Sequence, residues 1–102
     1  MMKKLKQKVK KLTESELAEA NSNFPQFASP HEGYAVILEE FEETTHELRN
    51  FGFALQSLWA GIKRDEIQLD KLTKLCSIAQ NMACESIQTA AMCQKLLDYE
   101  EK

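Results

Sequence analysis

Glutamates are concentrated in one stretch of the chain, where their spacing places three of them on one face of a helix. At 100° per residue, Glu40, Glu43 and Glu47 fall within about 60° of one another. Apolar residues share this face on both sides of the glutamates: Val36, Phe51, Ala54 and Leu58. An apolar face of this kind is normally covered, and a covered carboxylate is costly unless a cation or hydrogen bonds compensate it. The pattern therefore predicts that a cation or hydrogen bonds compensate these carboxylates.

Another carboxylate interrupts an apolar pattern nearer the C-terminus. In this pattern, mostly apolar residues recur at alternating steps of three and four, as expected for a helix packed lengthwise on a partner. Its members are Leu75, Ile78, Met82, Glu85, Thr89, Met92, Leu96 and Tyr99. Glu85 is the one charged member, and Gln88 follows it by about one turn. This face also predicts a carboxylate in a covered position.

Three helical stretches are predicted to position these side chains. The pattern of residues 3–20 predicts one bent helix or two short ones. In the latter case, Thr13 and Glu16 form a capping box at the start of the second short helix. A helix start is clear at residues 29–32, where serine, proline and glutamate occupy the N-cap, first and third positions. A third helix is predicted over residues 66–98, with Asp65 as its cap.

The second helix carries an additional apolar stripe besides the one that holds the glutamates. The stripe has a period near 3.6 and predicts that the helix runs to about residue 60. It consists of Tyr34, Ile37, Leu38, Phe41, Leu48, Leu55 and Trp59. β-Branched residues are few and no alternating pattern competes, so the fold class is all-α.

An antiparallel pairing of the second and third helices would bring the two sets of polar residues together. If the chain turns at Arg64, residues whose numbers sum to 128 lie at the same height, which places Glu43 opposite Glu85 and Glu40 opposite Gln88. Helical bundles hold divalent metals with inward carboxylates in this manner. A set of oxygen ligands without thiol or imidazole favours Mg²⁺ or Mn²⁺ over zinc.

The two polar segments match the motifs of a known family. The motif E-E-x-x-E stands at Glu39–Glu43, and residues 85–88 read E-S-I-Q where the family has E-x-x-D. The chain resembles the MazG-like all-α nucleoside triphosphate pyrophosphohydrolases over roughly residues 24–97. Segments 24–25, 29–35 and 87–92 are similar to an often phage-associated branch of that family.

The resemblance implies an antiparallel helical bundle built on a long helix hairpin, and an Mg²⁺-dependent enzyme that cleaves a nucleotide between its α and β phosphates. It implies Glu40, Glu43, Glu85 and Gln88 as metal ligands, with Gln88 as the departure, because an amide oxygen brings no negative charge. In this interpretation Glu39 or Glu47 orients the attacking water, and Lys71 or Lys74 neutralises the phosphates.

Two other interpretations stay open. In the first, the protein keeps the MazG-like scaffold for nucleotide binding or oligomeric interaction but has lost turnover with its fourth acid. In the second, it is an unrelated helical interaction module in which Glu85 pairs with Lys71, Lys74 or a base of a partner.

Charge is distributed unevenly along the 102 residues, whose formal net charge is −3. The first 11 residues hold six lysines and no acid, so the remainder is strongly acidic and should repel nucleic acid. We expect a basic N-terminal helical arm over residues 1–23 and the MazG-like domain over residues 24–102. Because no run approaches the roughly 20 apolar residues of a membrane span and no secretory signal is recognisable, we expect a cytoplasmic protein without a membrane partner.

The second half of the second helix bears on assembly. Apolar residues between Phe51 and Trp59 point in several directions, which one partner helix cannot cover, so we expect a homodimer or homotetramer.

Cys76, Cys84 and Cys93 are separated by steps of eight and nine without a C-x-x-C motif. This spacing argues against a disulfide or a zinc site and predicts buried, reduced thiols.

Overall fold

The computed structural model describes residues 2–66 and 68–101, and these residues form three helices. They are α1 (Met2–Asn23), α2 (Pro30–Lys63) and α3 (Leu69–Glu100). No strand occurs within the described ranges, so the predicted all-α class is confirmed. The N-terminal stretch is one continuous helix rather than two short ones.

The start of α2 follows the chemistry that its sequence predicts. Ser29 adopts an extended conformation as N-cap, and its hydroxyl accepts a hydrogen bond of 3.2 Å from the backbone N–H of Glu32. The Glu32 carboxylate in turn accepts a bond of 3.1 Å from the N–H of Ala28. Pro30 occupies the first helical position, where its missing N–H has no helical partner to lose. These contacts fix the point at which α2 leaves the preceding loop.

The connection between α2 and α3 closes over a glycine. The carbonyl of Gly61 accepts hydrogen bonds from the N–H groups of Arg64, at 3.1 Å, and Glu66, at 2.8 Å. Asp65 has a φ of 57°, in the left-handed region that reverses the chain direction. The N-cap of α3 is Gln68, so the prediction of Asp65 as its cap is wrong: the Asp65 backbone is used for the turn instead.

Helices α2 and α3 pack as an antiparallel hairpin, as predicted. Near the start of α2, Gly33 is buried so closely against α3 that an added Cβ would lie 2.7 Å from Leu96 Cδ1. Further along, the hydroxyl oxygens of Thr44 and Thr89 are 3.5 Å apart. Helix α1 packs against α3, which therefore contacts both other helices. Within the described ranges, no helix is long and apolar enough to cross a membrane.

The core is small for a chain of this length. The buried apolar residues of the described ranges are Phe27, Ile78 and Ala91 together with Gly33 and Gly61. The molecule is elongated, with extents of 58 × 29 × 22 Å. Three helices in this arrangement leave large surfaces without an internal partner, and many apolar side chains stay exposed as a result.

The prediction that the three cysteines are buried is wrong. Cys76, Cys84 and Cys93 are all exposed on α3. They remain free thiols, which agrees with the absence of a disulfide pattern in the sequence.

Two of the three glycines of α2, Gly52 and Gly61, provide a test of the hairpin turn. A Cβ at Gly61 would lie 2.7 Å from the carbonyl oxygen of Glu66, whereas a Cβ at Gly52 would meet nothing within 4 Å. We expect Gly61→Ala to lower the free energy of unfolding by about 1–2 kcal/mol, because backbone must move. Within a single chain, Gly52→Ala should raise it by about 0.5–1 kcal/mol through helix propensity. Urea unfolding followed by circular dichroism measures both, and equal effects would contradict the tight turn.

Candidate functional site

Three carboxylates from two helices meet at the interface of α2 and α3. Glu40 and Glu43 lie one turn apart on α2, and Glu85 lies opposite them on α3. One carboxylate oxygen from each residue lies within 4.8 Å of the other two. The antiparallel register predicts this proximity of Glu43 and Glu85. We call these three residues the acidic cluster.

Packing makes the charges of the acidic cluster unfavourable. One oxygen of Glu40 and one of Glu85, Oε2 in each case, are buried without a hydrogen-bond partner in the described part of the chain. Burial raises the pKa of Glu40, and the negative charges of Glu43, Glu85 and Glu39 raise it further. The pKa of Glu85 is also raised, first by burial and then by the charge of Glu43. A proton or a cation would relieve this repulsion.

A pair of threonines lies at the interface of the two helices beside the cluster. The hydroxyl of Thr44 donates to the carbonyl of Glu40 at 2.9 Å, and that of Thr89 donates to the carbonyl of Glu85 at 2.8 Å. Each hydroxyl is thus fixed on its own helix, one turn after a glutamate, and the two meet at the interface. The glutamate-to-threonine spacing of four is repeated on both helices, and this repeat was the signal in the sequence that could have identified the pair.

An acidic groove of about 330 Å³ opens on one side of the cluster. It contains both residues that the sequence analysis assigned to water activation, Glu39 and Glu47, which are exposed and half-buried respectively. Its described walls are Glu39, Glu42, Glu43, His46, Glu47 and Glu85. The charge of Glu47 contributes to the raised pKa of Glu85, as expected for carboxylates that share one groove.

A larger cavity of about 690 Å³ opens on the other side of the cluster, between the C-terminal end of α1 and the α2–α3 hairpin. Its apolar walls include Phe24, Phe27 and Met92, and Glu40 lies in its wall together with Gln88. Gln88, which is exposed, thus lines the same cavity as Glu40. The volume lies within the range of pockets that hold small molecules. Glu39 lines both the cavity and the acidic groove.

The cavity contains a lysine that the sequence analysis missed. Lys95 is only 3% exposed, and its Nζ lies 4.9 Å from the centroid of the Phe27 ring. Its backbone carbonyl accepts a hydrogen bond of 3.3 Å from the side-chain amide of Gln26. Lys95 is the one lysine among the described residues that line this cavity. Lys74 lines a separate cavity near Phe53. The position of Lys95 seven residues after Gln88, on the same helical face, was the available signal.

Comparisons with known proteins add no relative. No family model matches the chain, and no curated protein or solved structure is significantly similar to it. The MazG-like resemblance therefore stays a prediction that depends on the motifs and on the residues around them.

The raised pKa values predict how the protein's stability depends on pH. A carboxyl whose pKa is raised by folding from its ordinary 4.5 favours the folded state at low pH, and this contribution is lost as the pH rises through the raised value. Without metal, Glu85→Gln should therefore raise the free energy of unfolding at pH 7 and change it little near pH 4. Urea unfolding in EDTA between pH 4 and 8 measures this difference.

Glu14→Gln is the matched control, because Glu14 is exposed on α1. It should leave the pH profile of stability close to that of the wild type. A loss of stability in Glu85→Gln at pH 7 would instead show that the Glu85 charge is compensated in the folded protein.

Proposed function

We propose that the protein is a MazG-like, divalent-cation-dependent nucleotide pyrophosphohydrolase that acts in the cytoplasm. In this proposal it cleaves a nucleoside triphosphate between the α and β phosphates. The observation that carries the proposal is the convergence of Glu40, Glu43 and Glu85 at the edge of a cavity of about 690 Å³. The motifs that contain these residues, E-E-x-x-E at Glu39–Glu43 and E-S-I-Q at residues 85–88, support the proposal.

The residues present fit a hard cation such as Mg²⁺, with Mn²⁺ as an alternative. All three side chains offer oxygen, which these ions prefer. Two oxygens at about 2.1 Å from one ion are at most about 4.2 Å apart. A cluster within 4.8 Å thus needs only small side-chain rotations. The unpartnered Oε2 atoms of Glu40 and Glu85 are the groups that such an ion would satisfy.

Each residue of the site has a defined part in the proposed reaction. Glu40, Glu43 and Glu85 hold the cation, which when bound neutralises phosphate charge and polarises the scissile phosphoryl group. Gln88 contributes a neutral oxygen from the cavity wall beside Glu40. Glu39 borders both the cavity and the acidic groove, so we assign it the role of accepting the proton of the attacking water, with Glu47 as the alternative.

The cavity suits the rest of a nucleotide. Phe24 is 66% exposed and lines the cavity, where its ring offers a stacking surface for a base. Lys95 supplies a positive charge among cavity walls that otherwise contain Glu16, Glu32, Glu39 and Glu40. A lysine held in this way attracts a phosphate group and partly offsets the acids around it.

One observation favours a second candidate function. Gln88 stands where the MazG-like motif has an acid, so the site holds three formal charges and binds a cation more weakly than four would. In the alternative, the protein binds nucleotides through the same cavity without cleaving them. The two functions share a ligand class and differ in turnover.

Restoring the missing charge separates the two functions. Gln88→Asp should tighten Mn²⁺ binding by about tenfold, equivalent to about 1.4 kcal/mol, and should increase pyrophosphate release from the nucleotide substrate. Glu43→Gln should weaken Mn²⁺ binding by a similar or larger factor. Isothermal titration calorimetry and a pyrophosphate-release screen over the common nucleotides provide the readouts. Nucleotide binding without release in both the wild type and Gln88→Asp would select the non-catalytic alternative.

Replacing the buried lysine tests the nucleotide cavity. Lys95→Met keeps most of the side-chain volume against Phe27 but removes the charge. We expect nucleotide affinity to fall by about tenfold, with Mn²⁺ binding by the apo protein retained. Lys74→Met is the matched control because Lys74 lines a different cavity. Equal nucleotide affinities in both variants would contradict the assignment of Lys95.

A further inference from the structure

The outer side of α2 carries a long apolar stripe that α3 does not cover. Its large side chains are between 38% and 65% exposed. The stripe begins at Tyr34 and continues through Leu38, Phe41, Leu48, Leu55 and Trp59. We call it the α2 seam. The face of α2 that packs on α3 is a different one, which contains Val36, Glu40 and Ala54.

The seam has the period of a coiled coil. Counting Thr45 and Gly52, its positions from Tyr34 to Trp59 follow one another at alternating steps of four and three. A strict repeat of 3.5 residues is what a second helix lying lengthwise on the first requires. It extends over about 40 Å of helix. The expected occupant is therefore another long helix.

The surface available is enough for a stable dimer. Large side chains expose about 200 Å² each when fully accessible, so seven of them, Ile62 included, at roughly half exposure present about 700 Å² per chain. A standard specific interface buries about 800 Å² per partner. An exposed apolar patch of this size marks an interaction site.

From the charges beside the seam, we propose that its occupant is the α2 helix of a second copy of this chain, in antiparallel orientation. Glu42 and Arg49 lie on the same edge of the seam and are both exposed. In an antiparallel pair this edge meets the same edge of the partner. With the two-fold axis between residues 46 and 47, Glu42 lies beside the partner's Arg49, and the symmetry repeats the ion pair.

The same register also matches side-chain sizes across the seam. It places Gly52 opposite the partner's Phe41, so the smallest seam residue faces a large ring. It places Trp59 opposite the partner's Tyr34 at each end of the interface, a pairing of two aromatic residues. Every seam position from Tyr34 to Trp59 then has a partner within the seam.

Other arrangements lose these features. Sliding the antiparallel helices by one heptad toward the C-terminus brings Arg49 against the partner's Arg49, which places like charges together. In a parallel pair, the edge with Glu42 and Arg49 would meet the opposite edge of the partner, which consists of uncharged residues. The antiparallel register centred near residue 46 is thus the one that the charges favour.

Light scattering and sedimentation under reducing conditions test the proposal. We expect the wild type to have twice the 11.7 kDa chain mass at micromolar concentration. Leu48→Asp places a charge in the seam and should give a monomer. Circular dichroism should show an unchanged helix content, which establishes that this monomer is folded. Phe53→Asp is the matched control, because Phe53 is 62% exposed on α2 outside the seam, and it should stay dimeric. A monomeric wild type at 100 µM, or a Leu48→Asp variant that keeps the wild-type mass, would overturn the proposal.

Charge reversal tests the orientation of the two helices, and its result does not depend on whether Leu48→Asp folds. Glu42→Arg and Arg49→Glu should each raise the dissociation constant by about fivefold or more. The double variant restores opposite charges across the antiparallel interface and should return to within about twofold of the wild type. A double variant as weak as the single ones would overturn the antiparallel register. All these readouts concern mass and dissociation, so they are independent of the proposed enzymatic activity.

Discussion

Crowding of three carboxylates at the packed interface of α2 and α3 is the constraint on which the rest of the structure depends. Glu40 and Glu85 each keep an oxygen that is buried without a partner, and burial together with the neighbouring charges raises the pKa of both. Without a cation, this arrangement opposes the association of the helices that carry it. The remaining contacts of the hairpin must therefore hold the helices together.

Several contacts along the hairpin supply that stabilisation. Gly33 lets the start of α2 approach Leu96 closely, and the hydroxyl oxygens of Thr44 and Thr89 lie 3.5 Å apart beside the acidic cluster. At the other end, the chain turns tightly over Gly61. The acidic cluster is thus located between fixed points, on two long helices rather than on loops. Such positioning suits the proposed cation site, because it would hold the carboxylates in place without a cation.

The cavity and the α2 seam both exist because few helices pack together in this chain. Three helices give this chain a small core, and α3 is the shared partner of the other two. The space between the end of α1 and the hairpin remains open as a cavity, with Lys95 held against Phe27 in its wall. The outer face of α2 has no partner within the described chain, so its apolar side chains stay available for another helix.

Local patterns in the sequence determined the helices, the start of α2 at Ser29 and the antiparallel register that brings Glu43 to Glu85, because caps and periodicity depend on near neighbours. Other features depended on which surfaces meet in three dimensions. The sequence contains two apolar stripes on α2 and predicts that the third helix covers the one with the glutamates, but only the tertiary structure decided that the other stripe stays exposed. Tertiary contacts also left the three cysteines exposed and enclosed Lys95 against Phe27 of the loop between α1 and α2, since a side chain's burial is set by what packs over it and not by its own type alone.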